Sequence, residues 1–278
     1  MENKDFAVFI LTHGRPNNVI TLITLQKCGY TGRVFFIVDN EDKTVNQYIK
    51  NFGTDNVKIF DKKYYADNID EGNNFDERRT ITMARNACFD IAKQIGIIYF
   101  IQLDDDYPQF KYRFADNLFN KWLVKNLDSV FDSFLNYYKS INCKSLALSQ
   151  GGDHIGGFST TKLKRKCMNS FICSTDRPFK FIGAMNEDVN TYTTLGSRGD
   201  LFFTFTSVQL DQVETQQQKG GITDMYLKYG TYCKAFTTVM MHPSGVKVSM
   251  MNSSKPRIHH AIKWLNTVPV IIDEKYKK

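Results

Sequence analysis

Apolar and polar positions fall into alternating blocks along the first hundred residues. Phe6-Ala7-Val8-Phe9-Ile10-Leu11 is a continuous apolar run of strand length, the kind a sheet buries on both faces. It opens into Thr12-His13-Gly14-Arg15-Pro16, and Asn17 to Gln26 then carries Val19, Ile20, Leu22, Ile23 and Leu25 at helical spacing. Arg33 to Val38 is the next strand, closing on Asp39-Asn40-Glu41-Asp42, and a helix near Lys43 to Asn51 and a strand near Val57 to Phe60 follow. Lys62 to Asn74 shows no periodicity and reads as a long functional loop or lid. Asp76 to Gly96 is amphipathic through Ile81, Ala84, Ala87, Cys88, Ile91 and Ile95, and it leads into the apolar run Ile97 to Leu103, too short to span a bilayer. Four strand–helix pairs in succession predict an α/β fold on an open, mostly parallel, doubly wound Rossmann-type sheet.

Beyond Tyr107 the pattern changes. Leu118 to Ile141 is expected to form one long amphipathic helix, and Ser145 to Gln150 a strand entering Gly151-Gly152-Asp153-His154-Ile155-Gly156-Gly157. That glycine-rich stretch lacks the Lys-Ser/Thr of a phosphate loop and reads as a flexible or close-approach segment. Leu201 to Val208 and Tyr232 to Met241 are predicted strands, the latter ending at His242-Pro243. No linker or repeat forces a division. Residues 1–278 therefore read as one domain whose halves are 1–107 and 108–278.

Composition narrows the class without assigning a function. At 278 residues with 42% hydrophobic content the chain can bury a sizeable core. Cys28, Cys88, Cys143, Cys167, Cys173 and Cys233 form no Cys-x-x-Cys pair and no signal peptide precedes them, so reduced thiols, a cytoplasmic location and no structural zinc are expected. No apolar run reaches the roughly 20 residues of a membrane helix. The net charge of +7, from 36 Lys+Arg against 29 Asp+Glu, permits an anionic partner but is equally a solubility feature.

The candidate chemistry starts at Asp104-Asp105-Asp106, three like charges at the mouth of an apolar strand. Such a cluster is costly unless water, a cation or a metal compensates it. Asp104 and Asp106, with one residue between them, could converge on a divalent cation that also holds a substrate diphosphate, while Asp105 would point elsewhere by strand alternation. A solvated acidic turn is the plainer alternative. Two more strand ends carry polar clusters, Thr12 to Arg15 and Asp39 to Asp42, and an open parallel sheet brings such ends into one nucleotide-binding crevice. Asp39 is placed to read a base or ribose, and Arg15 and Arg85 to offset phosphate charge.

The run Ile81-Thr82-Met83-Ala84-Arg85-Asn86-Ala87, the helix to Gly96 and the strand ending in Asp104-Asp105-Asp106 resemble the Ala-Arg-Asn helix and Asp-x-Asp signature of GT-A-fold, family-2-like glycosyltransferases. Within that group the chain looks most like the TET-associated glycosyltransferases of bacteriophages, which decorate 5-hydroxymethylcytosine in DNA. The resemblance implies a GT-A-like fold, a nucleotide diphosphate sugar donor with UDP-sugar favoured, Mn²⁺ or Mg²⁺ at Asp104 and Asp106, and Thr12, Arg15, Asp39, Arg85, Asp104 and Asp105 as donor contacts. It also implies a base from the second half, where Glu187 and Asp188 are the matching positions, Asp188 favoured as the base and Glu187 as the neighbour that positions it or contacts the sugar, and a late histidine on the metal, for which His242 competes with His259 and His260. Taken alone, the pair Glu187-Asp188 reads first as a helix N-terminus, where acidic residues interact well with the dipole.

Basic clusters at Lys111 to Arg113, Lys162 to Lys166 and Lys255 to Arg257 would bind phosphates of an acceptor, with Lys111, Arg113, Lys162, Lys164 and Arg165 as the expected contacts. Solvated lysines are the alternative. Two rival functions stand beside hydroxymethylated DNA as acceptor: transfer to a glycan or protein, and non-catalytic DNA binding.

Overall fold

The computed structural model of the chain describes residues 4–70, 78–113, 122–154, 165–213, 222–251 and 256–269. In chain order the elements are β1 (Phe6–Leu11), α1 (Ile20–Lys27), β2 (Arg33–Asp39), α2 (Val45–Phe52), β3 (Val57–Phe60), α3 (Lys62–Asp67), α4 (Thr82–Gln94), β4 (Tyr99–Asp104), β5 (Gln109–Tyr112), β6 (Trp122–Leu123), α5 (Leu127–Ser140), β7 (Ser145–Ser149), β8 (Phe171–Ser174), α6 (Glu187–Ser197), β9 (Phe202–Asp211), α7 (Ile222–Met241), β10 (Val246–Met251), β11 (Arg257–Ile262) and α8 (Trp264–Thr267). Among the described residues nine strands form one sheet in the order β3-β2-β1-β4-β8-β7-β9-β5-β6, and β10 and β11 form a separate hairpin. The strands of the first half, β3-β2-β1-β4, are all parallel, as their intervening helices require. The second half extends the same sheet through antiparallel pairs, β4 with β8, β7 with β8, and β5 with both β9 and β6, and a parallel pair between β7 and β9. The architecture is α/β with a mixed sheet.

Period-2 alternation explains why β1 is apolar throughout. Phe6, Val8 and Ile10 point to a core face shared with Leu25 of α1, Tyr48 of α2 and Phe131, Phe134 and Leu135 of α5. Ala7, Phe9 and Leu11 point to the opposite face, where Met83, Ala87, Cys88 and Ile91 of α4 and Val189 and Tyr192 of α6 cover them. Both faces are buried, so no polar side chain is tolerated until the strand ends. The six cysteines are free thiols, all buried except Cys233.

Three expected elements differ. Tyr232 to Met241 is not a strand but the second part of α7, which is interrupted at Gly230 (φ 76°). Its β-branched and aromatic content suggests a strand, yet Ala235, Thr238 and His242 are buried while Tyr232, Phe236 and Met240 are exposed, a helical period set by packing. The long helix expected from Leu118 is α5, starting only at Leu127; the Asn126 side chain caps it, accepting from the Ser129 N–H at 3.1 Å, and Trp122–Leu123 is instead a strand. Residues 118–121 lie outside the described residues. The expected loop from Lys62 contains α3, started by Asp61, whose carboxylate accepts from the Tyr64 N–H at 3.1 Å.

Candidate functional site

Strand register brings the three polar strand ends together. Leu11 pairs with Asp104 across β1 and β4 and with Ile37 across β1 and β2, so the loop after Leu11 lies between the ends of β2 and β4. Thr12 Oγ1 donates to Asp105 Oδ2 at 2.7 Å and lies 2.8 Å from the Tyr48 hydroxyl, which also accepts from the Arg15 N–H at 2.8 Å. Arg15 Nη1 donates to Asp105 Oδ1 at 2.9 Å. Asp105 is therefore neither solvated nor turned away. Its side chain is 8% exposed and holds the first loop in place.

A second cluster closes the other side of that loop. His13 Nδ1 lies 2.6 Å from Asp39 Oδ2, and Lys62 Nζ is 3.4 Å from Asp39 Oδ1. Asp42 Oδ2 accepts from the Gly14 N–H at 2.7 Å, and Gly14 adopts φ 69°, a conformation glycine takes without penalty. The hydrogen bond that the His13 ring makes to the Asp39 carboxylate pushes the His13 pKa up against the opposing effect of burial. Burial works to raise the Asp39 pKa, but His13 and Lys62 outweigh it and hold the carboxyl below its ordinary value. His13, Asp42, Tyr48 and Lys62 are the members of this end of the site that residue types alone did not single out. His13, Asp42 and Lys62 share a positional signal, each lying just after the end of β1, β2 or β3, whereas Tyr48 lies within α2.

Arg85 explains the Ala-Arg-Asn helix in physical terms. Only 1% of its side chain is exposed, its Nη2 donates to Asp104 Oδ1 and its Nε to Glu187 Oε1, each at 3.0 Å. The guanidinium carbon sits 5.0 Å from the Phe171 ring centroid and 5.7 Å from that of Phe181. Burial disfavours its charge, but Asp104 and Glu187 outweigh burial and raise its pKa. The next residue, Asn86, uses its amide as a strand would: Nδ2 donates to the Phe181 carbonyl at 3.0 Å and Oδ1 accepts from the Phe181 N–H at 2.8 Å. Arg85 thus joins the Asp104 strand end to the second half, and Asn86 clamps the chain that leads there.

That chain turns at Gly183 (φ 83°) and Asn186 (φ 54°), where a left-handed asparagine starts α6. Asn186 Nδ2 donates to the Lys234 carbonyl at 2.6 Å and to Thr238 Oγ1 at 3.0 Å, tying the start of α6 to α7. Glu187 and Asp188 are consequently buried in the first turn of α6, where the helix dipole favours carboxylates. Burial first, then the neighbouring Glu187, raises the Asp188 pKa. A carboxylate so placed is suited to taking up a proton near neutrality.

Asp106 is the least satisfied carboxylate of the triplet. Its Oδ1 is buried and has no hydrogen-bond partner among the described residues. Burial, then Asp104 and Asp105, push its pKa up to about 7. Burial likewise raises that of Asp104, which Arg85 opposes. The orphaned oxygen of Asp106, near Asp104, has the hard-oxygen chemistry that suits a divalent cation, whereas Asp105 is occupied by Thr12 and Arg15.

His242 does not join it. It follows the end of α7, Nδ1 is 3.5 Å from Ser244 Oγ, and burial and then Arg198 lower its pKa. Among the described residues no three His, Cys, Asp or Glu side chains group as metal ligands. His259 and His260, the competing histidines, sit among cations: Lys166 Nζ is 3.4 Å from His259 Nε2, and burial together with Lys166 and Lys234 lowers the pKa of both rings. Of the expected acceptor contacts, Lys111 is ion-paired with Asp211, Arg165 with Asp153 at 3.1 Å, and Arg113 is buried. Lys162 and Lys164 lie outside the described residues.

Residues 6–221 match the model of the family described as TET-Associated Glycosyltransferase. No curated protein matches the chain in sequence. Among solved structures it is similar to glucosyl-3-phosphoglycerate synthase from Mycobacterium tuberculosis, in complex with Mn²⁺, UDP and phosphoglyceric acid, at 11% identity and a TM-score of 0.47, over 96% of this chain and 88% of that one. It is also similar to residues 1–349 of S. aureus TarS in complex with UDP-GlcNAc, at 12% identity and a TM-score of 0.44, over 84% of this chain and 66% of that one.

Proposed function

The chain belongs to the TET-associated glycosyltransferase family, and from that premise we propose that it transfers a sugar from a UDP-sugar to the hydroxyl of 5-hydroxymethylcytosine in DNA, in a GT-A-like site. The observation that carries this reading is the buried relay Asp104–Arg85–Glu187 with Asp188 next in sequence. It joins a carboxylate set suited to the donor to a carboxylate suited to the acceptor. Thr12, His13 and Asp39 would contact the nucleoside, and Arg15 the diphosphate once it yields part of its pairing with Asp105.

Asp104 and Asp106 would hold Mn²⁺ or Mg²⁺, and the ion would supply charge neutralisation at the departing diphosphate. Asp188 takes the proton from the acceptor hydroxyl as its oxygen bonds to the anomeric carbon, while the bond from that carbon to the diphosphate oxygen breaks and UDP leaves. Arg85 pairs with Glu187 and fixes the first turn of α6, so that Asp188 stays in position. The halves 1–107 and 108–278 divide the labour between donor and acceptor. An acceptor base within a duplex would have to be flipped out, at a cost of a few kcal/mol.

The test is mass spectrometry of hydroxymethylcytosine DNA after incubation with the protein, a divalent cation and a panel of sugar nucleotides. A hexose- or pentose-sized mass increase on the modified base supports the reading. Transfer only to small sugars or proteins would replace it with the glycan or protein acceptor reading. A protein that binds DNA but neither binds nor hydrolyses any sugar nucleotide would refute enzymatic transfer.

A further inference from the structure

Three separate segments bring basic side chains into the surroundings of Asp188. Lys166 precedes β8, Lys234 is on α7, and Arg257, His259 and His260 are on β11. Lys166 Nζ lies 3.4 Å from His259 Nε2, and the His259 and His260 rings, tilted by 33°, have centroids 4.2 Å apart. Lys234 is held by its backbone, whose carbonyl accepts from Asn186 immediately before Glu187 and Asp188. Asp188 acts electrostatically on both Lys166 and Lys234, and Arg257 acts on both as well. His260 is only 5% exposed, yet neither ring nitrogen has a hydrogen-bond partner among the described residues.

Burial depresses the pKa of both lysines and the nearby Arg257 adds to the effect, while the Asp188 carboxylate opposes it. Folding alone does not reward such an arrangement. An anion entering it would relieve the repulsion, take charge-assisted hydrogen bonds from Lys166, Lys234 and Arg257, and offer the orphaned His260 ring a partner. Arg257 is exposed, so the cluster opens to solvent.

We propose that Lys166, Lys234, Arg257 and His260 form a phosphate-binding subsite that grips a phosphate of the acceptor, adjacent to the hydroxyl presented to Asp188. The proposal deepens the acceptor reading and rests on it for the identity of the phosphate, which belongs to the nucleic-acid backbone next to the modified base. The subsite would set acceptor affinity, and the base sequence would not enter.

Two measurements test it. In the first, inorganic phosphate is titrated into the full chain with UDP and Mg²⁺ saturating, followed by calorimetry, for the wild type and for Lys166→Gln and Arg257→Gln. Weakening of phosphate binding by about tenfold in either variant, the loss of one charged hydrogen bond, is expected, with UDP affinity unchanged. No phosphate binding in the wild type, or equal binding in both variants, would overturn the subsite. Arg257 is exposed, so its variant folds even if the Lys166 variant does not.

In the second, transfer is compared on 5-hydroxymethyldeoxycytidine, its 5′-monophosphate and a short hydroxymethylated oligonucleotide. The phosphorylated acceptors should show a KM about tenfold lower than the nucleoside at similar kcat, and Arg257→Gln should erase the difference. Equal use of nucleoside and nucleotide by the wild type overturns the subsite. Failure of all three acceptors refutes hydroxymethylcytosine as substrate, while the phosphate titration decides the subsite independently.

Discussion

Replacing Arg85 with methionine isolates the charge that joins the two halves of the site. Methionine retains a flexible apolar stem against Phe171 and Phe181 but removes both 3.0 Å ion pairs. Glu187 is 8% exposed and Asp104 18%, so each would be left as a poorly solvated carboxylate with no cation. Two charge-assisted hydrogen bonds at about 1.5–3 kcal/mol each suggest a loss near 3–6 kcal/mol, and removing one partner of a buried pair typically costs about 3–5 kcal/mol. A loss of about 4 kcal/mol at pH 7 is therefore expected, read from urea unfolding followed by far-ultraviolet circular dichroism. The pH dependence provides a second signature. Without Arg85 the folded-state pKa of Asp104 rises further above its unfolded value, so the folded state binds more protons than the unfolded one above about pH 4. The variant should lose stability relative to wild type as pH rises, and recover most of the deficit at pH 4. A deficit below about 1 kcal/mol at pH 7, or one that grows on acidification, would refute the relay.

Asp104→Ala and Asp106→Ala should each abolish cation-dependent hydrolysis and transfer of the donor; full activity of either, or of wild type in chelator, would sink the metal role. Asp188→Asn should keep UDP-sugar binding and lose about 10²–10⁴-fold in kcat, and a variant within about fivefold of wild type would remove Asp188 from the chemistry. His13 is raised above 6.5 in the folded state, so its pairing with Asp39 stabilises fully below 6.5 and fades as pH rises through the raised value. Because His13 is about half exposed the effect is below about 1 kcal/mol; wild type should show a small fall in Tm from pH 6 to 8 that His13→Gln lacks, and identical slopes would contradict the pairing.

Elements and motifs of the first half were legible along the chain because their signals are local. Six apolar residues in a row mean a strand covered on both faces, and β1 is buried on both. The Asp triplet followed such a run, and its strand ends where the carboxylates begin. Local signals fail where packing decides. Tyr232 to Met241 has strand composition, yet it is a helix because its core contacts recur every three to four residues. Asp105 could not be told from Asp104 and Asp106 by alternation, since the strand stops at Asp104 and the next residue turns to meet Thr12 and Arg15, ninety and more positions earlier.

Residue identity alone thus determined the parallel half-sheet, the acidic strand end, the Ala-Arg-Asn helix and the acidic pair at 187–188. Only the tertiary structure decided what those residues do to one another. Arg85 meets Glu187 across 102 positions, and Lys166, Lys234 and Arg257 share one space although nothing in their neighbourhoods along the chain relates them. The physical reason is range. Backbone propensity and apolar periodicity act over a few residues, whereas charges act through space, and their partners are set by how the sheet and helices pack.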